Sequence, residues 1–526
     1  MTTAPPSPAT AVEAPPRDLY GVDPHVHDRR WAILAVLCLS LLLIVAGNSS
    51  LNVALPDIQK ALGSSPSQQQ WMVDAYSFVF AVLLLPAGAL ADRYGRKTAL
   101  QFGLVVFALA SLAATFATQN WQLIALRGLT GLGAAFIMPG TLSILTNVFR
   151  DPRERQRAIA VWAGCAGLGG ALGPIATGLL LAHYDWPSTF FINVVICAVA
   201  LLAGAFLLPN SSDPADTTFD PLGVIFAVGA VGGLLYGIID GPSRGWSDPV
   251  TIAALVGGVA LVVAFVLWER HNPRPMLDVR LFAVRPFQVG STTITLQFFA
   301  MYGLYFAVAQ YLQISHGYSP LRAAVACLPI GAVSMVSAWL SANMVRKYGN
   351  RVVVGSGLLL SAGGLAAMGW VTPTTTYLLL GAAFACMGFG GGQTNAPSTT
   401  LIMSSVPRAK SGVGSAVNDL SRELGGALGI AVLGSVLSSV YRSTVSAHAH
   451  SAALAAKAGS SVDVTLHASQ QAFANHNPAV GQALLHVAQT TFAHAFGVAM
   501  LLGAAILVLN SALVWARSLR AGAEGG

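Results

Sequence analysis

Apolar residues along this chain come in long runs, and charged residues collect in the short segments between those runs. Each run reaches about twenty residues, the length that an α-helix needs to cross the hydrocarbon core of a bilayer. We therefore predict an all-α polytopic membrane protein with fourteen transmembrane helices. The predicted spans lie at about 31–55, 71–91, 99–118, 122–147, 158–182, 189–209, 221–240, 249–268, 287–312, 320–345, 352–371, 376–404, 411–441 and 492–517.

The composition agrees with this pattern. Only 9% of the 526 residues are charged, whereas a soluble protein carries about 25%. The net charge of +7 resembles that of a nucleic-acid-binding protein, but the bases lie mostly in short loops on one side. We therefore expect a lipid bilayer and no nucleic acid as partner. The cysteines fall within apolar runs and are predicted to be packing residues, not disulfide partners or metal ligands: Cys38, Cys165, Cys197, Cys327 and Cys386.

Lysine and arginine also set the expected orientation. Loops that are rich in these residues face the cytoplasm, and the bases here concentrate in alternate loops, the acidic segment 210–220 being the exception. An even number of spans places both termini on one side. We therefore predict a multi-pass protein of the plasma (inner) membrane with both termini in the cytoplasm.

A repeated loop sequence indicates two related halves. Arg346-Lys-Tyr-Gly-Asn-Arg351 follows the tenth span as Asp92-Arg-Tyr-Gly-Arg-Lys97 follows the second, which fits a parallel repeat. The histidines of the external loop match no metal-ligand spacing, so we expect no metal site. The predicted divisions are a disordered cytoplasmic tail (1–28), an N-terminal six-helix half (29–209), two inserted helices with a cytoplasmic linker (210–286), a C-terminal six-helix half (287–441 with 492–518), an external loop (442–491) and a second cytoplasmic tail (519–526).

The turn after the second span reads Gly88-Ala-Leu-Ala-Asp-Arg-Tyr-Gly-Arg-Lys-Thr-Ala-Leu100. Its glycines permit close backbone approach, and Asp92 can pair with a base on a neighbouring helix. From these residues alone, a signal that only orients the chain explains the turn as well as a functional role does.

The same turn resembles the signature loop of the major facilitator superfamily, whose pattern is G-x-L-A-D-R-x-G-R-K-x-x-L. The resemblance implies the major facilitator fold and a latch that closes the cytoplasmic side by contacts between the two halves. It assigns gating to Gly88, Asp92, Arg93, Gly95, Arg96 and Lys97.

Ionisable residues within the spans are candidates for function, because a charge in hydrocarbon costs several kcal/mol unless it is paired or hydrated. The second span contains Asp74, the fourth Arg127, and the thirteenth Asp419, Arg422 and Glu423. Asp419 and Glu423 share a helix face, where a proton or a cationic substrate could offset their charge. The alternatives are an inert salt bridge within the helix and, for Asp74, an acid that simply faces water.

Three segments resemble motifs of the fourteen-helix drug:proton antiporters in that superfamily, such as the quaternary-ammonium efflux pumps. Trp71–Tyr76 resembles a motif whose acid is linked to coupling or cation recognition, Leu126–Ala135 one whose arginine is implicated in proton transfer, and Asn418–Gly426 the thirteenth-helix motif. The resemblance implies proton coupling at Asp74, Arg127, Asp419, Arg422 and Glu423.

The fifth span is dense in glycine and contains one proline, which suits close helix contact and a kink. Packing alone explains such a composition. The span also resembles the "antiporter" motif of the superfamily's exporters, placed here at Gly169, Gly173, Pro174 and Gly178. Two positions depart from the drug:proton antiporters: Gly47 stands where the first-helix acid belongs, and Ser334 about where the tenth helix of the quaternary-ammonium pumps has acids.

We interpret the chain as a proton-coupled antiporter that exports small hydrophobic or amphiphilic compounds. No phosphate-binding G-x-x-x-x-G-K-[S/T] sequence occurs, so we expect a proton gradient as energy source, no cofactor, and a monomer. The alternatives are a dedicated exporter of one metabolite, lipid or antibiotic, and a receptor or assembly protein that does not transport. No nucleophile or metal motif predicts an enzyme. The expected cavity residues, each of which packing would also explain, are Tyr76, Met138, Trp162, Phe298, Phe299, Met301, Tyr305, Gln310 and Gln393.

The orientation can be tested with single cysteines at positions 460 and 518, in a chain whose native cysteines are replaced. A membrane-impermeant thiol reagent applied to intact cells should label the cysteine that replaces Ser460 and spare the one that replaces Ser518, because only the first is predicted to face outward. Labelling in the reverse pattern would overturn the orientation.

Overall fold

A computed structural model describes residues 24–209, 220–273, 275–448 and 461–519 of the chain. Most of both predicted tails, nearly all of the acidic segment 210–220, and residues 449–460 of the predicted external loop lie outside the described residues.

The described residues form helices and no strand. Many helices begin at a polar cap; Ser65, for example, accepts a hydrogen bond from the N–H of Gln68 at 3.3 Å. The α-helices are α1 (Pro24–Asp28), α2 (Arg30–Leu62), α3 (Pro66–Tyr94), α4 (Arg96–Ala114), α5 (Asn120–Val148), α6 (Pro152–Leu181), α7 (Ser188–Leu207), α8 (Pro221–Arg244), α9 (Pro249–His271), α10 (Arg285–His316), α11 (Pro320–Ala326), α12 (Leu328–Ala367), α13 (Tyr377–Ser404), α14 (Ser411–His448), α15 (Val462–Ala474) and α16 (Pro478–Leu519), with 3₁₀ helices at Val279–Ala283, Met368–Trp370 and Arg408–Lys410.

Twelve helices in the described part of the chain are long and apolar enough to cross a membrane. One of them, Arg322–Trp370, has 49 residues and contains a non-helical Gly349 with φ 80°, so it divides into two spans. Helix α13 has 28 residues, also sufficient to cross. The predicted count of fourteen is consistent with this arrangement.

The helices form two bundles around separate apolar interiors. One interior is built from α2–α7 and continues into α8, α9, α10 and α14, and the other is built from α10 to α16. The bundles meet where α3 and α5 pack on α14 and where α6 packs on α12. The repeated loop has a structural counterpart, because Gly95 (φ 107°) and Gly349 (φ 80°) both adopt the positive φ that glycine tolerates.

The inserted pair α8–α9 packs on the outside of both bundles through α8, which contacts α3 and α14. Asp220 caps α8 by accepting from the N–H of Gly223 at 2.9 Å. The same carboxylate accepts from Trp268 Nε1 at 2.8 Å and Asn272 Nδ2 at 2.7 Å on α9 and the residue after it. One carboxylate therefore fixes the start of α8 against the end of α9.

The described residues of segment 442–491 are mostly helical. Helix α14 continues to His448, and α16 already begins at Pro478. Between them, α15 is held by Tyr441 Oη, which donates to Thr465 Oγ1 at 2.9 Å, and by Ser469 Oγ, which donates to the Gly481 carbonyl at 2.7 Å. Hydrophobic runs mark only the part of a helix inside the membrane, which explains why the predicted thirteenth and fourteenth spans were shorter than the helices.

The contact between α10 and α14 should be sensitive to a single methyl group. A Cβ added at Gly429 would lie 2.1 Å from the Phe299 carbonyl oxygen, and backbone cannot move aside as a side chain can. We expect Gly429→Ala to lower the free energy of unfolding by about 1–3 kcal/mol, the usual cost of overpacking. Thermal unfolding of the purified protein measures it. Gly257→Ala is the control, since a Cβ there would meet nothing within 4 Å; equal melting of both variants would contradict the prediction.

Candidate functional site

A cavity of about 1420 Å³ lies between the two bundles. Its wall combines apolar and aromatic side chains with a few polar ones, as binding pockets for small molecules commonly do. Glu423 lines it in the interior, and the exposed residues Gln70 and Trp246 line it near the ends of α3 and α8. We call the end of the molecule that contains the turn at residues 92–97 the 92–97 end. The cavity therefore extends toward the opposite end.

Asp92 closes the 92–97 end by joining the two bundles. The side chain is fully buried, and its Oδ1 accepts from the N–H of Gly412 at 2.9 Å while its Oδ2 accepts from that of Val413 at 3.1 Å. These donors belong to the first turn of α14, where backbone N–H groups lack partners within the helix and favour a negative charge. Asp92 thus caps a helix of the other bundle.

Arg96 adds a second connection between the bundles. Its Nη2 forms an ion pair with Asp92 Oδ1 at 2.9 Å and also donates to the carbonyl oxygens of Arg408 at 2.9 Å and Ala409 at 3.1 Å. Beside it, the hydroxyl groups of Ser143 and Ser411 lie 2.7 Å apart. The closed end is therefore held by polar contacts, which two surfaces can exchange for water when they separate.

The other residues of the predicted gate surround this pair. A Cβ at Gly88 would lie 2.6 Å from the Gly412 carbonyl oxygen, so the missing side chain lets α3 and α14 touch. Lys97 Nζ donates to the Ala205 carbonyl at 2.8 Å. The guanidinium of Arg93 lies 5.3 Å from the ring of Tyr94. Lys97 and Arg93 therefore contact residues of their own half, whereas Asp92 and Arg96 bind residues of the other half.

The linker after α9 also reaches the closed end. Lys410 Nζ donates to the Pro275 carbonyl at 2.9 Å, and the N–H of Leu277 donates to Glu269 Oε2 at 3.3 Å. Lys410 directly follows the carbonyl groups that Arg96 binds. The inserted helices are therefore connected to the same turn that Arg96, one of the predicted gate residues, binds.

Arg127 lies buried in the first bundle without an ion-pair partner among the described residues. Its Nε donates to the Met72 carbonyl at 3.0 Å and its Nη2 to Asn48 Oδ1 at 3.1 Å. The guanidinium also lies 4.6 Å from the ring of Tyr76, a distance at which a cation is attracted to the π face. Asp74, by contrast, lines the cavity and forms no ion pair with Arg127.

The three ionisable residues of α14 are separated by their surroundings. Glu423 and Arg422 line the cavity, whereas Asp419 is fully buried behind its wall. No ion pair joins Arg422 to either acid in the described part of the structure. The intrahelical salt bridge, which was the alternative interpretation of these residues, is therefore not formed.

A chain of neutral groups connects Arg422 with Asp419 instead. Arg422 Nη2 donates to Thr399 Oγ1 at 3.2 Å, and that hydroxyl donates to Asn418 Oδ1 at 3.0 Å. Asn418 Nδ2 in turn donates to Asp419 Oδ1 at 3.0 Å. One hydroxyl and one amide therefore link Arg422 in the cavity wall to the buried Asp419 by hydrogen bonds.

The residues of the predicted antiporter motif bring α6 against α2. A Cβ at Gly173 would lie 2.6 Å from the Ala46 carbonyl oxygen, and one at Gly169 would lie 3.0 Å from Val45 Cβ. Pro174 lines the cavity, while Gly178 is half-buried in the last part of the helix. The motif therefore acts here through close packing next to the cavity.

The predicted cavity residues divide into two groups. Those that line the cavity are Tyr76, Met138, Phe298, Met301 and Tyr305. The others face elsewhere: Trp162 is buried and donates to Thr141, Phe299 packs in the second interior, Gln310 is half-buried and donates to the Phe306 carbonyl, and Gln393 is buried and donates to Ser337.

Sequence reasoning missed the asparagines of α2. Asn48 and Asn52 both line the cavity, and their spacing of four residues within an apolar run is a signal that could have identified them. Gly47 faces away, since a Cβ there would lie 3.4 Å from the ring of Phe107. The polar group at this level of α2 is therefore Asn48, which holds Arg127. Among the described residues, no group of three or more His, Cys, Asp or Glu side chains could hold a metal ion.

Comparisons with known proteins identify the family. The Major Facilitator Superfamily model matches residues 37–430. The chain is 36% identical over 417 residues to the multidrug efflux pump LfrA of Mycolicibacterium smegmatis, covering 79% of this chain and 82% of that protein. It is 32% identical over 489 residues to the methyl viologen resistance protein SmvA of Salmonella typhimurium, covering 93% and 98%.

A solved structure shows the same fold at low sequence identity. The human organic anion transporter TETRAN superposes with a TM-score of 0.60 at 15% identity, covering 92% of this chain and all of that one. At this identity the likeness concerns the fold alone.

The gate can be tested by Asp92→Asn. The amide cannot accept from Gly412 and Val413 with both of its terminal atoms, and Arg96 loses its ionic partner, so the 92–97 end should open more often. Spin labels at the exposed positions Thr98 and Ser404 should then show a larger population at long distance. Transport should slow while substrate affinity stays within about tenfold, or about 1.4 kcal/mol.

The control is Asp57→Asn, which removes an exposed ion pair with Lys60 at the opposite end. A variant at Asp92 with the distances and transport rate of the unmodified protein would show that this carboxylate does not hold the gate.

Proposed function

Because the chain belongs to the Major Facilitator Superfamily, and is therefore a membrane transporter and not an enzyme, we propose that it exports small hydrophobic or amphiphilic compounds in exchange for protons. The printed names of its relatives, a multidrug efflux pump and a methyl viologen resistance protein, favour drugs and toxic compounds as substrates. The observation that carries the proposal is a cavity with carboxylates in its wall, closed at one end by a polar latch between the bundles.

We place the 92–97 end and both termini in the cytoplasm and the protein in the plasma membrane, as the distribution of Lys and Arg favours. On this assignment the structure represents the outward-facing state. Substrate then enters from the cytoplasmic side after the contacts of Asp92 and Arg96 separate, and leaves through the end that is open here. One chain provides the whole cavity, which favours a monomer as the working unit.

Proton coupling is assigned to the acids in and behind the cavity wall. Glu423 and Asp74 line the cavity, so protons from the external solution reach them when this end is open. Asp419 is connected to the wall through Asn418 and Thr399. Protonation from outside releases substrate, deprotonation inside restores binding, and Arg127 positions the α2 and α3 side of the cavity through Asn48 and Met72.

The function is tested with purified protein in liposomes under an imposed pH gradient, using a panel of unrelated dyes and antibiotics. Uphill accumulation of several compounds, lost when the gradient is collapsed, is the expected result. Movement of a single compound would favour a dedicated exporter, and no movement of any compound would overturn the proposal.

Coupling should fail when the acids of α14 lose their charge. We expect Asp419→Asn and Glu423→Gln to abolish transport driven by pH while substrate binding survives and loses its pH dependence, because the amides cannot release a proton. The measurement is substrate-induced proton release from detergent-solubilised protein.

Glu154→Gln serves as control, since Glu154 forms a partly exposed ion pair with Arg30 outside the cavity. If the double variant at 419 and 423 releases as many protons as the unmodified protein, coupling lies elsewhere, and Asp74 with Arg127 becomes the candidate.

A further inference from the structure

Arg422 holds an unusual position for a positive charge. It lines the cavity, although only 3% of the residue is exposed. Its guanidinium lies 5.0 Å from the ring of Trp162 and 5.2 Å from the ring of Phe298. Two aromatic rings from α6 and α10 therefore fix the guanidinium at the surface where both bundles meet the cavity.

The guanidinium has no carboxylate within contact distance among the described residues. No ion pair within the described residues involves Arg422, and its buried Nε has no hydrogen-bond partner. Its Nη2 donates to a neutral hydroxyl, that of Thr399. A buried arginine normally binds a carboxylate or another oxyanion in a bidentate manner, and cation–π contacts replace that only in part.

The neighbouring residue restricts which anion could fill this role. Glu423 also lines the cavity, so a ligand that carries only negative charge would be repelled beside it. A ligand with a carboxylate or phenolate for Arg422 and a positive nitrogen for Glu423 would satisfy both side chains. The flanking apolar and aromatic wall, with Tyr76, Phe298 and Tyr302, suits a flat aromatic body between the two groups.

We propose that Arg422 is a specificity-determining residue that binds an oxyanion of the substrate, and that the preferred substrates are zwitterionic aromatic amphiphiles. This inference rests on the proposed function, because it names the substrate class of the same cavity. It also gives the neutral chain behind Arg422 a purpose: an oxyanion on the guanidinium changes the field at Asp419 through Thr399 and Asn418, so binding and proton exchange are connected.

Two dyes that differ by one methyl group test this directly. Rhodamine 110 carries a free carboxylate beside its cationic ring system, and rhodamine 123 is its methyl ester. Binding of each dye to the purified protein in detergent at neutral pH is measured by fluorescence anisotropy. We expect the unmodified protein to bind rhodamine 110 more tightly than rhodamine 123.

In Arg422→Gln the dissociation constant for rhodamine 110 should rise tenfold or more, while that for rhodamine 123 should change less than twofold. In Arg422→Lys the dissociation constant for rhodamine 110 should lie between those of the unmodified protein and Arg422→Gln, since an ammonium keeps the charge without the planar fork. Arg322→Gln is the matched control, because that exposed arginine also stacks on an aromatic ring, Tyr318 at 4.1 Å, but lies outside the cavity wall. Melting temperatures verify that each variant is folded.

The outcomes separate this inference from the proposed function. The role of Arg422 is overturned if Arg422→Gln weakens the binding of both dyes equally. It is also overturned if the unmodified protein binds both dyes with equal affinity. Should rhodamine 123 alone be carried uphill in liposomes, the exporter stands and the zwitterion preference falls. If Arg422-dependent binding of rhodamine 110 occurs without any uphill movement, the binding site stands and proton-driven export falls.

Discussion

The buried carboxylate of Asp92 is the contact on which the closed state depends. It lies in one bundle and takes its hydrogen bonds from the first turn of a helix in the other, 320 and 321 residues further along the chain. A buried charge is costly unless every partner is in place, so small displacements of the bundles make this contact unfavourable. In the arrangement described here Asp92 and Arg96 are both satisfied, and separation of the bundles would require water to replace their partners.

The cavity follows from the same arrangement. Closing one end around polar groups leaves the two bundles apart at the other end, where polar side chains such as Asn48, Asn52 and Glu423 lie along a space large enough for a drug-sized molecule. Charged groups are tolerated there because water or a ligand can reach them. Asp419 is the contrasting case, since it lies behind the wall and depends on Asn418 for a hydrogen bond.

The inserted helices are more than a spacer between two halves. Asp220 fixes α8 to the end of α9, Glu269 holds the following linker, and the Pro275 carbonyl in that linker accepts from Lys410. Lys410 follows the residues whose carbonyl groups bind Arg96. One short turn, 408–410, therefore contacts both the predicted gate and the linker of the inserted pair.

The sequence by itself determined the class of the protein and its helices, and its resemblance to the superfamily's signature loop predicted a latch at the turn 92–97. A bilayer requires long apolar helices whose backbone is satisfied internally, so the spans could be read from hydrophobicity, and the turn at 92–97 from its local pattern of charge and glycine. The ends of α14 and α16 could not, because helices continue beyond the membrane without any change that hydrophobicity records.

Only the tertiary structure decided the partners of the charged residues. The spacing of Asp419 and Glu423 places them on one face, but α13 supplies Thr399 beside Arg422, and α6 and α10 supply the rings around it. Trp162 and Gln393 were predicted to line the cavity because of their residue types. In the structure their hydrogen bonds to Thr141 and Ser337 hold both side chains between packed helices instead. Residue type and helical period fix what a side chain can do, whereas the neighbouring helix, distant in sequence, fixes what it meets.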